Sequence, residues 1–203
     1  MIFFGPRKIF SLSLILKRHD VVFLAALVAF AGVVVQAAGG TWDGQTHLAR
    51  EVPEQFWSIQ HLVVYAGLAM VVCSSTFGFL ALVRRRQKNE KALQIWLAVI
   101  SLGAGLELFS GYFDMRAHEI NGLDAMVTPS HVGLHAGIFI VSLGCFLVFS
   151  RIETPAARRM IPAAIATVFF SAAWIAFNLI MSLAPALMCL PIYELLSSGC
   201  EVL

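Results

Sequence analysis

The chain has 203 residues, of which 59% are hydrophobic and only 13% are charged. Soluble domains carry about 25% charged residues, so this composition excludes an ordinary soluble domain and favours a protein whose apolar surface is covered by a lipid bilayer. The net charge of +2 is too small to indicate a nucleic-acid-binding protein, and no basic stripe interleaves with aromatic residues.

Five apolar stretches are each long enough to cross about 30 Å of hydrocarbon as an α-helix. In chain order, we predict spans at 21–38, 61–83, 93–112, 131–150 and 160–183. The first span is the shortest, and its end also matches a signal-peptide cleavage site, so its removal is a second interpretation. The sequence predicts an all-α fold, a polytopic membrane helical bundle that forms a single domain over residues 1–203.

The charges of the connecting segments predict how the chain crosses the membrane. The segments at 7–18, 84–91 and 151–159 are rich in Lys and Arg, whereas the two remaining connections are acidic. Basic segments stay on the cytoplasmic side of membrane proteins. We therefore expect a multi-pass protein of the plasma or inner membrane, with a cytoplasmic N-terminus and both acidic loops external.

An internal repeat relates residues 21–83 to residues 93–150, and residues 160–203 form a fifth span and a tail outside it. The offset is 71 before the middle of each acidic loop and 70 after it. The matched positions hold an Asp, two His and a polar residue of the preceding span: Asp43 and Asp114, His47 and His118, His61 and His131, Gln36 and Glu107. Both units have the same direction in the membrane, so we predict a parallel duplication of a helix–acidic loop–helix unit.

Each unit has the residue types of a metal site. Asp114 and His118 are four residues apart and share one face of a helix, which Glu107 joins two turns earlier. His131 opens the next helix, after a candidate N-cap residue, Thr128, so the hairpin brings it back towards Asp114.

A carboxylate and two imidazoles suit copper, zinc or non-haem iron. Five of the six histidines fall in the two units. We predict that the metal ligands are Asp43, His47, His61, Asp114, His118, His131 and His135. Glu107 is the candidate catalytic residue, as a proton handler, and we expect the second unit to be the better site.

The order Asp-x3-His followed by a His at the start of a membrane helix resembles the C subunit of particulate methane and ammonia monooxygenases. Residues 36–67 and 107–137, about half of the chain, carry this resemblance. It implies copper as the cofactor, a small neutral substrate, and other membrane subunits as partners in an oxidoreductase. The second unit begins with Asp114, where that family has Asn.

Two other functions fit the same residues. A membrane zinc hydrolase of the ceramidase-like type would use the pair His131 and His135, with zinc lowering the pKa of a bound water. A metal-free accessory subunit would use the polar residues only to hold its hairpins together.

Overall fold

The computed structural model describes residues 18–49, 57–83, 91–121 and 128–183. These residues form five helices and no strand: α1 Arg18–Ala49, α2 Ile59–Val83, α3 Lys91–Asn121, α4 Pro129–Arg151 and α5 Pro155–Leu183. All five are long and apolar enough to cross a membrane. The predicted all-α membrane bundle is therefore confirmed, and the chain is a multi-pass membrane protein.

Two of the helices continue beyond the spans that apolarity predicts. α1 ends at Ala49 and α3 at Asn121, so Asp43 and Asp114 lie in helical continuations of the first and third spans, as the four-residue spacing of each Asp and His predicts. A helix satisfies its own backbone hydrogen bonds, so it does not have to end where its apolar residues end. Gly39 does not break α1, because its backbone packs directly against Val64 of α2.

Several predicted features lie outside the described residues. They are the N-terminal basic segment up to residue 17, the basic connection at 84–90, the acidic residues Glu51, Glu54 and Asp124, and the tail from residue 184.

The helices pack as two hairpins, α1 on α2 and α3 on α4, and α5 lies against α4. In each hairpin the two helices pack closely at a pair of glycines, and neither pair leaves room for a side chain. A Cβ added to Gly67 would lie 2.5 Å from the Gly32 carbonyl oxygen, and a Cβ added to Gly137 would lie 2.9 Å from the Gly103 carbonyl oxygen. The same contact thus recurs at the offset of the sequence repeat. Small residues allow membrane helices to approach this closely, and the resulting van der Waals contact holds them together.

The apolar core is formed mainly by the first halves of α1 and α3 and the second half of α4, with smaller contributions from α2 and α5. Phe149 makes edge contacts with Phe23 and Phe30, at ring-centroid distances of 5.9 Å for both. Cys145 donates a hydrogen bond from Sγ to the carbonyl oxygen of Ala26. The core therefore fills the half of the bundle that lies away from Asp43 and Asp114.

Candidate functional site

The first Asp–His pair is formed by Asp43 of α1 and His61 of α2. The distance from His61 Nε2 to Asp43 Oδ1 is 3.2 Å, and the two side chains are only 8% and 11% exposed. His61 lies in the first turn of α2, where its backbone N–H donates to Ser58 Oγ. Gln60 Nε2 donates to Thr46 Oγ1 at 3.2 Å, which ties the start of α2 to the end of α1.

The second Asp–His pair is formed by Asp114 of α3 and His131 of α4, whose Nδ1 lies 3.5 Å from Asp114 Oδ1. Thr128 is the N-cap of α4, as predicted, and Pro129 follows in the first turn. Thr128 Oγ1 lies 2.7 Å from His131 Nδ1, and Ser130 Oγ donates to Asp114 Oδ1 at 2.8 Å. The N-terminus of α4 therefore fixes both members of this pair.

The two pairs use different imidazole nitrogens. His61 turns Nε2 towards its carboxylate, whereas His131 turns Nδ1 towards both Asp114 and Thr128. The nitrogen that contacts the carboxylate determines the tautomer and orients the other nitrogen. The two units thus share residue types but differ in the orientation of the ring.

The geometry of each pair fits two ligands of one metal ion. In a tetrahedral site with bonds of about 2.1 Å, two ligand atoms are about 3.4 Å apart. The observed separations of 3.2 and 3.5 Å match this value, and they are also compatible with a simple ion pair.

The third predicted ligand of each unit is His47 or His118. Both lie one helical turn after the Asp, in α1 and α3, and their side chains are outside the described part of the protein. Among the side chains that the structure does describe, no group of three His, Cys, Asp or Glu is placed to hold an ion. Each unit therefore brings together two of its three predicted ligands.

Both Asp–His pairs line one cavity of about 640 Å³, and we call the end of the bundle where they lie the Asp–His end. All five helices contribute to its wall. The cavity brings the two repeat units together at a single site, which their separation in the sequence does not reveal.

His135 also lines this cavity, one turn below His131. Its ring stacks on Trp174 of α5, at a centroid distance of 5.4 Å and an interplanar angle of 10°. Tyr65 holds the equivalent position in the first unit and contacts Trp57 edge-on at 6.0 Å. Neither tryptophan was predicted from the sequence to line the site, although an indole ring in a membrane protein is itself a signal for a candidate site residue.

Glu107 does not line the cavity. Its side chain is fully buried, two helical turns from Asp114, and it packs on Gly137. Gln36 of α1 is its polar neighbour and is itself a lining residue. Within the described part of the chain, neither carboxylate oxygen of Glu107 nor Gln36 Nε2 has a hydrogen bond of ordinary geometry. Gln36 therefore lies between the buried carboxyl group and the cavity.

No protein-family model matches the chain, and comparisons with curated proteins and with solved structures give no match.

Proposed function

We propose that this chain is a metal-binding membrane protein, a relative or subunit of the copper membrane monooxygenases that works with other membrane subunits. One observation carries the proposal: a buried carboxylate–imidazole pair occurs twice, at the offset of the repeat, and both pairs face one cavity. Buried ionisable groups are costly in a membrane protein and tend to serve a function.

In this proposal Asp43, His47 and His61 hold one ion. Asp114, His118 and His131 hold another, with His135 as a further candidate ligand. Copper in such sites would supply redox chemistry towards oxygen, and zinc or iron are the other metals that this donor set suits.

The surrounding residues would prepare the second site. Thr128 contacts His131 Nδ1, so a metal ion would replace that contact or bind Nε2 instead, because a ring nitrogen has one position for a partner. Ser130 donates a hydrogen bond to the Asp114 carboxylate and orients it from the same helix start. Partners of this kind typically raise metal affinity by about 10–100-fold. Glu107, two turns away and beside the lining residue Gln36, would be the candidate proton handler.

The test is metal quantification on the purified wild-type protein and on His61→Ala, His131→Ala and the double variant. His19→Ala is the matched control, since His19 is the histidine outside the repeat units. We expect each single variant to lose one ion, the double variant to lose both, and the control to lose none.

If His61→Ala and His131→Ala both keep the wild-type stoichiometry, the metal proposal is wrong and the role of a metal-free accessory subunit replaces it. If His131→Ala alone keeps it, the second unit is not a metal site. Size-exclusion profiles of all variants check that the fold is retained.

A further inference from the structure

We propose that the cavity between the two Asp–His pairs binds a long-chain alcohol, that is, an uncharged amphiphile with one alkyl chain and a hydroxyl head. This inference names the substrate class of the proposed site and, as a substrate assignment, rests on the proposed function. The cavity volume of about 640 Å³ lies within the range of about 300–1,000 Å³ that holds one drug-sized ligand.

The cavity is polar at one end and apolar at the other. Asp43, His61, Asp114 and His131 line the Asp–His end. Along α2 the lining continues from His61 to Cys73, a distance of about 18 Å at about 1.5 Å per residue. The cavity is therefore elongated along α2.

The deep part of the wall is almost entirely apolar, with Leu68, Val72, Leu108, Ile138 and Phe170 as lining residues. The Ser171 hydroxyl in this region donates to backbone carbonyl groups of its own helix, so it offers no donor to a ligand. An alkyl chain fits such a wall without leaving a polar group unsatisfied.

The deep part is also accessible from the bilayer. Ala69 and Cys73 of α2 and Phe170 of α5 line the cavity and are exposed at the surface of the bundle. α2 packs mainly on α1 and α3, whereas α5 packs mainly on α4, so a gap between α2 and α5 leads to the surface that lipid covers. A ligand dissolved in the membrane would enter through this gap.

The chemistry of the polar end selects the head group. Carboxylates accept hydrogen bonds, and an imidazole nitrogen can donate or accept one, so a hydroxyl that does both matches the pair. In metal-free protein a fatty acid would add a third carboxylate beside Asp43 and Asp114, which like-charge repulsion opposes in a region of low dielectric. A bound metal ion would instead attract that carboxylate.

The experiment is photo-cross-linking in phosphatidylcholine nanodiscs with a hexadecanol that carries a diazirine near the end of its chain. In protein stripped of metal with a chelator, we expect saturable labelling that mass spectrometry maps to α2, α4 and α5. Unlabelled hexadecanol should compete for it about tenfold better than hexadecanoic acid does. Leu68→Trp fills the deep part of the cavity and should reduce saturable labelling about tenfold or more.

Ala69→Trp is a second variant with the same expected loss, and its exposed position makes the larger side chain easy to accommodate. Leu102→Trp is the matched control, because Leu102 is 66% exposed on α3 and does not line the cavity. Labelling that does not saturate, or that both cavity variants leave unchanged, would overturn the inference, as would better competition by the acid.

Metal content measured on the same preparations before the chelator is added separates this inference from the proposed function. Metal without saturable labelling overturns the alcohol site and leaves the metal site standing. Saturable labelling without metal supports the alcohol site and overturns the metal-binding function.

Discussion

Gln36 of α1 and Glu107 of α3 hold equivalent positions in the two repeat units, and their side chains are neighbours in the buried interior. Each packs over the glycine of its own hairpin, Gln36 over Gly67 and Glu107 over Gly137. One position of this matched pair is neutral and the other is acidic. The contact between the two repeat units at Gln36 and Glu107 thus places a single carboxyl group, that of Glu107, in the buried interior of the bundle.

The contact between Gln36 and Glu107 predicts the outcome of a charge swap. Gln36→Glu would place two carboxyl groups side by side without water, and we expect it to lower the free energy of unfolding by about 1–3 kcal/mol or more. Glu107→Gln should leave stability unchanged or higher, and the double swap should restore it to near the wild-type value. Thermal unfolding in detergent, followed by circular dichroism, measures all three. A stable Gln36→Glu variant would show that the two side chains do not meet.

The glycine contacts predict a second effect on stability. Gly67→Ala adds a Cβ 2.5 Å from the Gly32 carbonyl oxygen and 2.6 Å from Gln36 Cγ. Overpacking of this kind costs about 1–3 kcal/mol, which corresponds to a fall in Tm of about 2–4 °C per kcal/mol for a chain of this size. Gly105→Ala is the control, since nothing lies within 4 Å of its added Cβ. Equal Tm values for the two variants would contradict the close approach of α1 and α2.

Ser130 provides a test of how the second metal site is oriented. In a His61→Ala background, which leaves only the second unit, Ser130→Ala removes the hydrogen bond to Asp114 Oδ1. We expect metal affinity to fall about 10–100-fold. Gln60→Ala in a His131→Ala background is the matched variant of the first unit, because Gln60 holds the position equivalent to Ser130 and its side chain donates to the neutral Thr46 Oγ1.

Titration of metal-free protein with copper measures both affinities. The loss for Gln60→Ala should be smaller, and an equal loss in the two backgrounds would argue against a special role for Ser130.

The direction of the chain in the membrane is tested by cysteine accessibility. In a background without native cysteines, Lys88→Cys should react with a membrane-impermeant maleimide only from the cytoplasmic side, and Asp124→Cys only from outside. The reason is the excess of basic residues in the connection at 84–91. Reversed labelling at both positions would invert the orientation and place the Asp–His end in the cytoplasm.

The number of helices and their approximate positions were predictable from the sequence, because an apolar stretch long enough to span the bilayer is a strong local signal. The offset of the repeat also indicated which Asp and His would be close, since α1 and α2 are joined by a short connection. The extension of α1 to Ala49 was not predictable from apolarity, because a polar helix end has no hydropathic signal.

Contacts between helices that are not neighbours in sequence could not be predicted from the spacing of residues along the chain. The stacking of Trp174 on His135 and the meeting of Gln36 with Glu107 both depend on how the hairpins and α5 pack. The choice of ring nitrogen at His131 likewise depends on side-chain packing, here at the Thr128 cap.

The stack of Trp174 on His135 gives the protein an optical reporter of its own site. Trp57 and Trp174 line the cavity, whereas Trp42 and Trp96 do not. Indole emission is sensitive to the polarity and the charge around the ring, so ligand or metal entering the cavity would change the signals of Trp57 and Trp174. Trp42 is the chain neighbour of Asp43, which leaves Trp96, near the start of α3, as the internal standard. Because one indole contacts Tyr65 and the other His135, single Trp→Phe replacements would allow events in the two units to be followed separately without an added label.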